Sequence, residues 1–185
     1  MFDNKNYDKY WKSNYLKYTA SLLACFTGMR QGEILGLTPE KVFKDHIYVN
    51  ASWGEGELGP TKTKETRKVY VKKEVMDQLR SIMPESSYIF SYRNNQVIKP
   101  MSAQRLTESL YFALDKMGID QMQRKARNIK FHSFRHWLVT FLRGNGISKA
   151  EVTTMTGQKT SRVIDDYTSF DKISNRNIVA VIDRF

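Results

Sequence analysis

Residues 131–157 constrain this chain more than any other stretch, because they carry their own punctuation. The run FHSFRHWLVTFLR (131–143) puts Phe131, Phe134, Leu138 and Phe141 on one stripe, the spacing of a helix with a single buried face. Gly144 and Gly146 end it. Ser148 and Glu151 then stand at the spacing of a capping box, and the helix they open stops at Gly157. Two such helices need an apolar partner surface. With 185 residues, 41% of them hydrophobic, the chain can supply one core.

The remaining pattern extends this picture. Residues 13–27 have helical apolar spacing and end at Gly28, and a short helix is expected over about 30–36. Thr38-Pro39 marks a helix start or tight turn, and 45–51 reads as a strand. SWGEGELGP reads as a Gly-rich hairpin loop, followed by two short extended pieces in 61–72. Helices are expected over 73–82, 102–117, 161–169 and 172–184. No linker or internal repeat interrupts the chain. The expected fold class is α+β, mainly helical, with one small three-stranded antiparallel sheet.

Charge narrows the partner. Thirty Lys and Arg against nineteen Asp and Glu give a formal net charge of +11. A surplus of that size favours a polyanion, most commonly nucleic acid, over an anionic membrane surface. The basic residues are spread over many elements instead of forming one basic amphipathic helix, which argues against the membrane. No apolar run is long enough to span a bilayer and no signal-peptide pattern opens the chain. The lone Cys25, in an apolar stretch, suits a reducing compartment and a core position.

Four motifs can carry chemistry. In TGMRQGEILGL (27–37), Glu33 lies one helical turn after Arg30, a spacing that lets a carboxylate orient a guanidinium toward phosphate oxygens. In HSFRH (132–136), His132 and Arg135 can project from one helix edge: Arg135 as a second phosphate donor, His132 as a proton carrier near neutral pH. His132 and His136 also have a zinc-like spacing, but no third ligand is apparent. In TKTKETRKVYV (61–71), Lys62 follows the Gly-rich loop, where a flexible cation could reach a leaving oxygen. In MTGQKTSRVIDDYTSF (155–170), Tyr167 offers a phenol, which becomes nucleophilic only where cations stabilise phenolate. Each motif alone has a plainer reading, as a surface ion pair, a charged edge strand or a packing aromatic.

Their order and spacing together resemble the tyrosine recombinase (phage integrase) family, over about residues 20–170. The resemblance implies a catalytic domain over residues 1–185, without the helical core-binding domain that usually precedes it. It implies Arg30 as the first arginine, Lys62 as the hairpin lysine, His132 and Arg135 as the H-x-x-R pair and Tyr167 as nucleophile, with Glu33 and His136 supporting. Lys62 is preferred to Lys64 because it lies five residues before Arg67. Gln158, nine residues before Tyr167, stands where the family usually has His or Trp; it can donate a hydrogen bond to phosphate but cannot carry a proton.

The implied function is site-specific recombination and integration of double-stranded DNA through a 3′-phosphotyrosyl intermediate, with no cofactor and no metal. Implied too are a homotetramer on DNA, accessory DNA-bending proteins, no membrane partner and a cytoplasmic location (nucleoid-associated, or the host cytoplasm for a phage-encoded chain). The C-terminal segment DKISNRNIVAVIDRF could pack on a neighbouring subunit or on its own core. A type IB topoisomerase, or a DNA-binding module with weakened catalysis, are the competing readings.

Overall fold

A computed structural model of the chain describes residues 2, 7–12, 14–85, 87–94, 97–157, 178 and 180–183. Its centre is helix α2 (Tyr15–Thr27), buried at every position from Tyr18 to Thr27. An all-round buried helix needs apolar or small residues on every face, and TASLLACFT supplies them. Asn14 caps its start by accepting from the Lys17 N–H at 3.0 Å. Around α2 pack α1 (Tyr7–Trp11), α3 (Gln31–Leu35), α4 (Lys73–Arg80), α5 (Ala103–Lys116) and α7 (Ser133–Gly144). Cys25 lies among them, buried, its thiol pushed up to about 12 by loss of water.

The short helix α6 (Gln121–Ala126) precedes α7. Helix α8 (Lys149–Thr156) has the expected capping box: Ser148 Oγ accepts from the Glu151 N–H and Glu151 accepts from the Ser148 N–H, at 3.2 and 2.9 Å. Gly157 closes it in the left-handed conformation, φ 65°. The buried face of α7 is Arg135, Leu138 and Leu142; Phe134 and Phe141 are only partly buried at its margin.

The expected three-stranded sheet is instead three two-stranded antiparallel ladders among the described residues. Strands β1 (His46–Val49) and β2 (Ala51–Gly54) form one arm of a long hairpin; β3 (Glu57–Pro60) and β4 (Arg67–Tyr70) form the other. The SWGEGELGP stretch is therefore mostly strand, with only Glu55 and Gly56 at the turn, both at positive φ. Ala51 faces Pro60 and Val49 faces Arg67, so residue 50 on one arm is opposed by 61–66 on the other. That unequal spacing breaks the ladder in two and sets the Lys62 segment outside it. A separate hairpin, β5 (Ser91–Asn94) with β6 (Val97–Pro100), supplies the third ladder. It, α1 and α6 fall where the sequence pattern pointed to no element.

At the C-terminus, Ile178 and 180–182 are helical. Ile178, Val181 and Ile182 are buried, and Lys72 reaches Asp183 at 3.9 Å. This end of the tail thus rests on its own chain. The expected helix at 161–169 lies outside the described residues. No helix among the described residues is long and apolar enough to cross a membrane.

Candidate active site

Helix α2 ends at Gly28, φ 62°, whose N–H returns to the Ala24 carbonyl. The left-handed turn sends the chain across the place where α7 and α8 meet. A Cβ on Gly28 would lie 3.2 Å from the Leu138 side chain and 3.3 Å from that of Thr156. Two residues on, Arg30 is the N-cap of α3. Its N–H donates to Glu33 Oε2 at 2.8 Å and its Nη1 to Glu33 Oε1 at 3.0 Å. The carboxylate–guanidinium pair expected from the R-x-x-E spacing is formed.

Glu33 is buried and has a second cation. Arg67, on β4, donates Nη1 to Oε1 at 3.1 Å and Nη2 to Oε2 at 2.7 Å, a bidentate fork. Burial alone would push the Glu33 carboxyl up; Arg67 and then Arg30 reverse this and hold it below the usual carboxylate range. The two arginines also share α8. Arg67 Nε donates to the Met155 carbonyl at 2.9 Å, and Arg30 Nη2 to the Gly157 carbonyl at 3.0 Å. A helix C-terminus leaves such carbonyls unpaired, and it carries partial negative charge that suits cations.

Arg135 completes the cluster from α7. It is 2% exposed, and its Nη1 donates to the Gly28 carbonyl at 2.8 Å. Its Nη2 is buried and has no hydrogen-bond partner among the described residues. Loss of water first, then the charges of Arg30 and Arg67, bring Arg135 down to about 10, with Glu33 opposing. The group remains a cation at neutral pH. An unpaired buried donor costs about 1–3 kcal/mol, and one kept beside two further guanidiniums can receive an anion.

His132 is the N-cap residue of α7, its ring 4.8 Å from that of His136 and nearly perpendicular to it. Partial loss of water, then the charges of His136, Arg135, Arg30 and Lys62, hold His132 below the ordinary histidine range. Arg30 on α3 and Lys62 on the hairpin thus lie within electrostatic range of His132 on α7. Lys62 is exposed on the 61–66 segment, which is stiffened by bonds from Thr61 Oγ1 to the Glu65 carbonyl at 2.7 Å and from the Lys64 N–H to the Thr61 carbonyl at 2.8 Å. No group of three His, Cys, Asp or Glu among the described residues could hold a metal. Gln158 and Tyr167 lie outside the described residues; the former follows Gly157 directly.

Arg67 is the member that the motif reading passed over, using it only to place Lys62. Its signal was strand alternation: Arg67 shares a face of β4 with the buried Val69, and an arginine on a buried face requires a partner.

The chain superposes on the Tn1549 transposon integrase solved with transposon right end DNA (TM-score 0.62, 18% identity), covering 80% of this chain and 56% of that one. It superposes on the XerA recombinase (TM-score 0.59, 18% identity), covering 88% of this chain and 60% of that one. It also superposes on the lambda integrase catalytic core (TM-score 0.59, 18% identity), covering 84% of this chain and 93% of that one. No curated protein matches it. The profile of the phage integrase family matches residues 4–172, and the chain therefore belongs to the phage integrase family.

Proposed function

We propose that this domain cuts and rejoins double-stranded DNA at specific sites by transesterification on Tyr167. The observation that carries the reading is the meeting of Arg30 and Arg135 around Gly28, with one buried Arg135 nitrogen unpaired among the described residues. Two guanidiniums so placed suit the two non-bridging oxygens of a phosphodiester, and they supply without a metal the charge neutralisation its transition state needs.

In this mechanism the Tyr167 phenol loses its proton to His132, which its depressed pKa keeps neutral and able to accept. The phenolate oxygen bonds to phosphorus, the bond from phosphorus to the 5′-oxygen breaks, and Lys62 gives that oxygen a proton. The products are a 3′-phosphotyrosyl link and a free 5′-hydroxyl. One phosphodiester replaces another, so no energy source is consumed, and a 5′-hydroxyl from a different strand reverses the step. Gln158 adds a donor to the phosphate. The working unit is a homotetramer on DNA in the cytoplasm, with accessory DNA-bending proteins assisting synapsis.

The test is covalent capture. A pool of nicked duplexes, randomised around the nick, is incubated with the chain, washed under denaturing conditions and sequenced. Retained DNA should carry a common sequence and be joined to the protein through its 3′ end, the released strand should begin with a free 5′-hydroxyl, and Tyr167→Phe should retain none while still binding duplex. Equal retention by the variant, or none by wild type, ends the proposal. Relaxation of plasmids irrespective of sequence would replace it with a topoisomerase activity.

A further inference from the structure

We infer that Arg67 is a positioning residue that sets the aim of Arg30 by saturating Glu33. The inference rests on the DNA-cleaving role proposed for this site. Glu33 has two oxygens and, buried, no water to share them with. Arg67 occupies both at 3.1 and 2.7 Å. Glu33 therefore engages the Arg30 guanidinium through Nη1 alone, while Arg30 Nη2 turns to the Gly157 carbonyl.

The division of labour shows in exposure. The Arg67 side chain is 7% exposed and that of Arg30 21%. Arg67 spends its donors on Glu33 and Met155 inside the fold, whereas Arg30 remains reachable by a phosphate. The fit around Arg67 is also close: a Cβ on Gly157 would fall 2.9 Å from its Nη1.

Removing Arg67 would leave a buried carboxylate with one cation. The lowest-energy answer is for Glu33 to draw both arms of the Arg30 guanidinium into a bidentate fork, the stronger geometry. Arg30 would then release Gly157 and turn from the phosphate. Misplacement on the scale of an ångström costs about 100-fold in rate, while the exposed cations that meet DNA are left in place, because the Arg67 side chain is only 7% exposed.

The experiment uses the sequence recovered by covalent capture, prepared as nicked duplexes carrying either the native phosphate or a methylphosphonate at the scissile position. A methylphosphonate has no negative charge to neutralise, so a defect that acts through Arg30 disappears on it. Arg67→Ala should cleave the phosphate about 100-fold more slowly than wild type, with DNA affinity within about twofold. On the matching methylphosphonate diastereomer its deficit should shrink to a few-fold at most, as should that of Arg30→Ala. Arg67→Lys, which retains charge and packing but cannot form the fork, should show the same pattern at smaller size; it carries the test if the alanine variant melts. A deficit equal on both substrates, or no deficit, removes the inference alone. A wild-type chain that forms no adduct, judged against Tyr167→Phe, removes the proposed function as well.

Discussion

Arg135 and His132 show how one short motif produces two chemically opposite side chains. Arg135 points inward among cations and stays charged despite a pKa lowered to about 10. His132, under the same field, is held below the ordinary histidine range. With a folded pKa below the unfolded 6.5, His132 takes up its proton late, so its stabilising effect is present above pH 6.5. That effect is lost as pH falls from there toward the folded value. An NMR titration should place its midpoint below 6.5, and cleavage should decline through that window in wild type but not in His132→Gln. Glu33 follows the same sign at lower pH: its folded pKa lies below 4.5, so its contribution holds above 4.5 and fades as pH drops through the folded value. Replacing it strands two guanidiniums. Glu33→Gln should cost about 3–5 kcal/mol in chemical denaturation at pH 7, with a shallower acid limb below pH 4.5.

At the scale of elements, the site depends on how closely α3 lies on the hairpin. A Cβ at Gly32 would sit 2.4 Å from the Ser52 hydroxyl and 2.7 Å from the Trp53 carbonyl, so only glycine lets α3 rest on β2. Gly32→Ala should lower stability by about 1–3 kcal/mol, and because α3 carries Arg30 and Glu33 it should slow cleavage further than the stability loss explains. Denaturant midpoints and single-turnover rates, measured together, check this. The α8 cap is a milder case. Ser148→Ala removes one of two reciprocal bonds and should cost about 1 kcal/mol, read as a lower melting temperature, with cleavage at 25 °C little changed, since the Met155 and Gly157 carbonyls lie at the other end of the helix.

Over the whole molecule, part of the net charge of +11 gathers beside α7. Lys125, Arg127 and Lys130 are exposed around the buried Arg124, on the segment that leads into His132. If these meet DNA phosphates, each releases about one counterion on binding. Lys125→Ala should reduce the slope of log affinity against log salt by about one, equally for specific and unrelated duplexes. Fluorescence anisotropy across a salt series measures both. An unchanged slope would place the DNA on another face.

Local order was legible in the sequence because its causes are local. The Gly28 and Gly157 stops, the Ser148–Glu151 box and the Arg30–Glu33 pair each involve residues a few positions apart, and each formed as expected. The order and spacing of the arginine motifs sufficed to identify the family, since they register a common geometry in residue types alone. Beyond that range the tertiary fold decided. The hairpin broke into separate ladders because six residues oppose one across it, a mismatch invisible until the strands are paired. Arg67 met Glu33 across 34 positions, and Arg135 met Gly28 across 107, because a buried charge is settled by whichever distant partner the packing of α2, α7 and β4 delivers to it.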